Sequence, residues 1–447
     1  MRNTTSKSTS TAPAAKHISR HKPRGSFLLR SLALPVAAVM GAGTFMLHGP
    51  NAAMAAPPEP TESATVPASP SPSGSASASD TDSSTESAEK ARLTTTAQGL
   101  VDAGFPAALA AVTKADGSTV GVAVGKGNLE TGEAPPLDGE VRIGSNTKTF
   151  TAVVTMQLVQ EGKISLDEPI ETYLPGLLKG EGIDGTKITV RQLLQHTSGL
   201  PEYTDTVPGE TDIFQVRDNY YSSRDLIDIA LTHPAAFEPG SQFRYTNTNY
   251  IALTLLIEKV THRPLAEQIT QRIIEPLGLS HTYYPNPGEE DIRNTHPHGY
   301  HRNTPTDDWQ DITHMDPSWA SGAGAMISTP SELTTFIQAT FDGTLLSPDS
   351  ITEMQKTVDT DHPELGMNGY GLGIFSLPLS CGGEAWGHTG GLFGYTSQSM
   401  IGPDGTAVAI AVTAMPLAFA TGVADMEPML QKQKLMSDTI DSLLCNR

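Results

Sequence analysis

Strand-forming runs lie near both ends of the compositionally globular part of this chain and almost nowhere between them. Residues 107–113 and 119–124 are runs of small and β-branched residues, joined across Asp116-Gly117, a hairpin signal. Residues 370–377, 396–401 and 407–413 repeat the pattern, the last two joined through Pro403-Asp404-Gly405. The stretch between them, about 165–303, shows helical apolar spacing instead, as at 191–196 and 250–261, and Pro and Gly interrupt it often. Strands drawn from both ends must meet in one sheet, and the helical stretch then becomes an insertion. The expected class is α/β (α+β): an antiparallel sheet flanked by helices and formed from both ends of the chain, with an inserted mainly helical lobe. Short helices are expected at 94–103 and, mostly buried, at 148–161 before Gly162, with a final helix over 427–444.

Composition divides the chain. The first 55 residues hold Arg2, Lys7, Lys16, Arg20, Lys22, Arg24 and Arg30 but no Asp or Glu, followed by an apolar stretch over 27–47 and the small-x-small pattern Ala53-Met54-Ala55. Residues 1–55 are therefore expected to be a secretory signal peptide, and the protein to be secreted, extracellular or in the cell-wall space. An uncleaved anchor is the rival reading, but Pro35 and the small residues favour cleavage, so no stable membrane span is expected after processing. Residues 56–90 are Pro, Ser, Ala and Thr with scattered acids, the composition of a disordered linker. The folded domain would occupy 91–447, with the inserted lobe at about 165–303. Beyond the leader, 29 less 7 basic residues face 49 acidic ones, a net charge of about −27. Such a chain is not expected to bind nucleic acid. Its two cysteines, Cys381 and Cys445, are most economically read as one disulfide, with two buried thiols as the alternative.

Three short strings carry chemistry. In Ser145-Asn146-Thr147-Lys148, the serine and lysine are three apart and share a helix face, so the amine can serve as the base that a serine nucleophile needs. A capping serine with a solvated lysine is the bland reading, but the apolar helix around Lys148 opposes it, and burial makes a lysine a usable base. Tyr245 offers a phenol to relay a proton to the leaving group, and Asn247 an amide to orient a substrate carbonyl. His388-Thr389-Gly390-Gly391 opens a strand along which substrate would bind, the Gly391 N–H pairing with that of Ser145 as an oxyanion hole. His296, His298 and His301 near Asp307 and Asp308 lie on a loop marked by Pro297 and Gly299, with spacing that suits neither a helix pair nor a finger, and no metal site is expected. No phosphate-binding glycine loop or dinucleotide fingerprint stands out, and no cofactor is expected.

Taken in order, these strings resemble the serine β-lactamase and penicillin-binding superfamily, in particular secreted D-alanyl-D-alanine carboxypeptidases and class C β-lactamase-like serine hydrolases. The similarity runs from about residue 91 to the end and includes His196-Thr197-Ser198-Gly199-Leu200. The resemblance implies the β-lactamase/transpeptidase-like fold, acylation of Ser145, proton transfer by Lys148 and Tyr245, and substrate binding by Asn247, His388, Thr389, Gly390 and Gly391. It also implies a cleft-rim role for Trp319, a structural His196 and a Cys381–Cys445 pair. The expected function is a secreted serine hydrolase acting through an acyl-enzyme, a D-alanyl-D-alanine carboxypeptidase-like penicillin-binding enzyme of peptidoglycan peptides, with β-lactams as mimics. Esterase, β-lactamase or D-aminopeptidase activity is the alternative within the fold, and a non-catalytic penicillin sensor the alternative outside catalysis. Relatives with histidine in the third motif carry an arginine where spacing places Phe375 here. Gly391 replaces a threonine, and nothing between Lys356 and Lys432 is Lys or Arg, so the seat for a substrate carboxylate is weak, left to His388, the Thr389 hydroxyl and Lys148. Glu384 is read first as a solvated loop glutamate, with contact to a substrate amine as the alternative.

Overall fold

A computed structural model describes residues 79–207, 212–360, 367–421 and 425–446, with side chains from residue 86 onward. The expected leader and most of the expected linker lie outside the described residues. Helix α1 (Ser79–Asp102) precedes strands β1 (Ala107–Thr113), β2 (Thr119–Gly125) and β3 (Val141–Arg142). Helices α2 (Thr147–Gln160) and α3 (Thr248–Thr261) follow, then β4 (Ile327–Ser328) and α4 (Pro330–Phe341). The chain ends with β5 (Gly369–Tyr370), β6 (Phe375–Pro378), β7 (Glu384–Leu392), β8 (Tyr395–Ile401), β9 (Ala407–Val412) and α5 (Glu427–Leu444).

The main sheet has seven strands in the order β2-β1-β9-β8-β7-β6-β5, every neighbouring pair antiparallel. Ala108 sits opposite Val412, so the two ends of the folded part meet inside the sheet, where β1 pairs with β9. The central strands β1, β8 and β9 are buried along their whole length because helices cover both faces. Helices α1 and α5 pack on one face and α4 on the other. Between α2 and β4 helices supply most of the regular structure, alongside two short hairpins and long loops, and the segment's apolar side chains join those of α2 in the largest buried cluster.

Two expectations need correction. Helix α1 begins at Ser79, inside the segment assigned to the linker, rather than near Thr94. Leu93, Ala97 and Leu100 anchor it against the sheet, and with no proline after Pro72 nothing stops the helix from propagating backwards. The run 370–377 is not one strand but two, β5 and β6, separated by a turn in which the Gly371 N–H donates to Ile374 O at 2.8 Å. That turn wraps the start of α2: Thr149 Oγ1 donates to Gly373 O at 2.9 Å, and a Cβ on Gly373 would lie 2.4 Å from that of Ala152.

Cys381, in the β6–β7 turn, and Cys445, just past α5, form a disulfide. It closes a loop over a sequence separation of 64 residues. Chain-entropy reasoning gives Cys445→Ser a cost of about 4 kcal/mol, readable as a lowered urea midpoint. Among the described residues no helix is long and apolar enough to cross a membrane.

Candidate active site

Burial and glycine geometry place Ser145. The chain leaves β3 through a single 3-10 turn, Gly144–Asn146, before α2 starts. Gly144 has φ +50°, and a Cβ there would lie 2.6 Å from Gly391 N. From the strand side, a Cβ on Gly390 would lie 1.9 Å from Ile143 O and 2.8 Å from Ser145 N. Two backbones approach this closely only where neither has a side chain. The juxtaposition brings the amides of Ser145 and Gly391 together, as the oxyanion-hole expectation requires. Asn146 bolts the turn to β8: its Nδ2 donates to Ser397 Oγ at 2.8 Å, and its Oδ1 accepts from Ser399 Oγ at 2.7 Å.

Lys148 is fully buried one turn below the serine. Its Nζ donates to Ser145 Oγ at 2.9 Å, Asn247 Oδ1 at 2.7 Å and Ala323 O at 2.8 Å. Burial brings its pKa down to about 7, the nearby Glu202 carboxylate partly opposing the fall. The amine also lies 4.8 Å from the Tyr245 ring centre. Tyr245 stands just before α3; its enclosed hydroxyl end is held well above the usual phenol range by desolvation, which a hydrogen bond with Ser145 opposes. The phenol therefore keeps its proton until a leaving group can take it.

The histidines behave differently from a cationic seat. His196 is buried beneath Tyr245, the ring centres 4.2 Å apart, and its Nδ1 accepts from Thr246 N–H at 3.3 Å and faces Asn249 Nδ2 at 3.1 Å. That assigns the ring proton to Nε2, 3.2 Å from Tyr370 Oη, whose own proton then points to His388 Nε2 at 2.9 Å. His388 Nδ1 meets Thr389 O. Burial first, and then Lys148, push His388 down to about 3, so its imidazole is neutral at working pH. His196 is likewise held well below its ordinary value by burial.

The cleft above Ser145 has a volume of about 250 Å³. Thr389, Gly390, Gly391, Tyr245 and Asn247 line it as expected. Trp319 lines it too, yet is only 8 % exposed and packs with Phe393 in an apolar cluster, so it is both wall and core. Phe375 fills the position beside His388, with ring centres 5.7 Å apart. Beyond it the wall is apolar, with Met415, Leu417, Met429 and Met436 from the end of the sheet and from α5. No Asp, Glu, Lys or Arg lines the cleft among the described residues; Lys148 reaches Ser145 from below it. Glu384 instead receives a hydrogen bond at 2.5 Å from Asn368 Nδ2. His296, His298 and His301 turn to separate partners: Asn294 O, Asp311 and the Phe393 ring.

Sequence reading missed Glu202, just past the Gly199 turn, whose buried carboxylate accepts from Asn247 N–H at 2.6 Å. Its only signal was an acid placed next to the otherwise apolar Leu200-Pro201 pair.

Comparisons with known proteins agree with this geometry. A family model described as Beta-lactamase matches residues 91–425. Protein flp of Staphylococcus aureus (strain MW2) is 31% identical over 144 residues, which are 32% of this chain and 27% of that protein. Penicillin-binding protein 4* of Bacillus subtilis is 26% identical over 286 residues, 61% of this chain and 60% of that one. The matches thus span between about a quarter and three-fifths of these relatives. Among solved structures, a D-stereospecific amidohydrolase from Streptomyces sp. shares 34% identity with a TM-score of 0.68, over 80% of this chain and 99% of that one. A D-amino acid amidase from Ochrobactrum anthropi SV3, complexed with L-phenylalanine amide, shares 26% identity with the same TM-score and coverage. With the family model matching most of the chain and Ser145, Lys148 and Tyr245 in mutual contact, this protein belongs to the beta-lactamase family and is a serine hydrolase of the β-lactamase and penicillin-binding protein fold.

Proposed function

We propose that the protein is an amidase or esterase that transfers an acyl group with an apolar side chain, of the D-aminoacyl kind, through Ser145 to water. The observation that carries this reading is the cleft's lining: apolar on one side and, among the described residues, without a charged side chain. A carboxypeptidase or a β-lactam target must seat a carboxylate, and here Phe375 and a neutral His388 occupy the ground where a cation would serve. The resemblance to D-alanyl-D-alanine carboxypeptidases therefore describes the acylation machinery better than the leaving group. The similar amidohydrolase and amidase structures support the same direction.

In the proposed reaction, neutral Lys148 takes the Ser145 proton as Oγ attacks the carbonyl carbon. The oxyanion settles between the N–H groups of Ser145 and Gly391. Tyr245 gives its proton to the departing nitrogen or oxygen and recovers one from the Lys148 ammonium, leaving the acyl group on Ser145. Water then attacks the ester by the reverse proton path. The basic, acid-free amino terminus and the Cys381–Cys445 disulfide support a site of action outside the cytoplasm.

The test compares one D-phenylalanyl acyl group carried on three leaving groups: ammonia, methanol and D-alanine with its free carboxylate. The amide and ester should turn over and the peptide should lag by at least about tenfold in kcat/KM. Ser145→Ala should lose at least about 10⁴-fold on all active substrates. Preference for the D-alanine leaving group would return the protein to the carboxypeptidases.

A further inference from the structure

Asn247 is anchored from both sides by groups that leave its amide no choice of orientation. Lys148 Nζ donates to the amide oxygen at 2.7 Å. The Glu202 carboxylate only accepts, and its Oε2 lies 2.6 Å from Asn247 N and 3.3 Å from Asn247 Nδ2. Its Oε1 accepts from Thr204 N–H at 3.0 Å. Glu202 is 3% exposed and forms no ion pair among the described residues, although burying an unpaired carboxylate is costly. A carboxylate kept in such a place, one amide away from the catalytic amine, needs a reason.

We propose that Glu202 is a positioning residue that works through Asn247: its carboxylate fixes the amide and supplies the counter-charge for Lys148 once that amine has taken the Ser145 proton. The other titratable groups facing the pair are Tyr203, Tyr245 and Tyr250 and the imidazoles of His196 and His388. Burial holds the phenols protonated and the imidazoles neutral, so none of them can balance an ammonium. Glu202 is the one anion among the described groups acting on Lys148, and it raises the amine's proton affinity against burial. Burial raises the pKa of Glu202 itself, and the backbone N–H donors of Thr204 and Asn247, together with Lys148, oppose that rise. Asn247, which lines the cleft and is expected from sequence to hold substrate, thus also joins Lys148 to Glu202. This inference rests on the acyl-enzyme reading but not on the amide preference.

The experiment follows the rate at which Ser145 is captured by an aryl fluorophosphonate, read by intact mass across a range of about pH 5 to 9. The probe needs an activated serine and is indifferent to the natural leaving group, so a failed amide assignment leaves this test standing. Capture by the parent should rise with pH through about 7 as Lys148 loses its proton. In Glu202→Gln the midpoint should fall by about one pH unit, because the anion that favours the ammonium is gone. Glu202→Asp keeps the charge and should hold the parent's midpoint, with a rate lower by up to about tenfold from the displaced amide. A purely structural role would lower the rate without moving the midpoint. Coincident midpoints for the parent and Glu202→Gln, or an equal shift in Glu202→Asp, would overturn the proposal. A pH-independent parent would overturn it together with the role of Lys148 as base.

Discussion

Lys148→Met is expected to lower kcat/KM by about 10³- to 10⁴-fold while leaving the folded protein as stable as the parent, or more so. The two effects share one cause. The amine is fully buried, and removing it deletes the only base in contact with Ser145 Oγ among the described residues. Methionine fills nearly the same volume without a charge to desolvate, although Ser145 Oγ, Asn247 Oδ1 and Ala323 O each lose a donor. The sign of the pH dependence separates this from ordinary repacking. With the folded pKa near 7 and the unfolded one at 10.5, the unfolded chain binds the extra proton between those values. The parent's stability therefore rises with pH across that window, and below about 7 the full burial penalty is in force. Lys148→Met should gain roughly 1–3 kcal/mol near pH 6, and the gain should vanish as the pH approaches 10. Paired urea melts at the two pH values would show it; equal differences at both would mean that the lysine is not buried in its neutral form.

The second large effect is expected from a single methyl group. Gly390→Ala would place Cβ 1.9 Å from Ile143 O and 2.8 Å from Ser145 N, both backbone atoms with no rotamer to yield. The turn carrying Ser145 and the strand carrying Gly391 must then separate, and the oxyanion donors separate with them. A displacement of about 1 Å in such a site costs on the order of 100-fold in rate, with a further loss of about 1–3 kcal/mol in stability from overpacking. Gly391→Ala provides the control, since its nearest neighbour is the flexible Met415 side chain at 3.0 Å. Comparable losses in the two variants would show that the close approach of Gly390 does not set the site.

Which parts of this arrangement were readable in one dimension follows a physical rule. Ser145 with Lys148, and Tyr245 with Asn247, announce themselves because helical or turn spacing sets their geometry locally. The sheet was legible because alternating and small-residue runs can be buried only on a pleat. Glu202 and the chain from His196 through Tyr370 to His388 were not, because each member's role depends on what lies opposite after folding. Asn146 was hidden in the same way: it sits inside the S-x-x-K string but serves β8. The start of α1 was misjudged for another reason. Composition measures whether a segment can bury a core, not whether it can extend a helix already anchored downstream at Leu93 and Ala97.

The opposition of Ala108 and Val412 has a consequence for how the molecule comes into being. The β1–β9 pair joins residues roughly 300 positions apart, and such non-local pairings are among the slowest contacts to form. β7, which carries Gly391, and α5, which walls the cleft, are made more than about 200 residues after Ser145. A growing chain therefore holds Ser145 and Lys148 long before it holds the strand that gives the serine its oxyanion hole. The nascent polypeptide is catalytically silent by construction, and the site is complete only when β7 to β9 have joined the first strand.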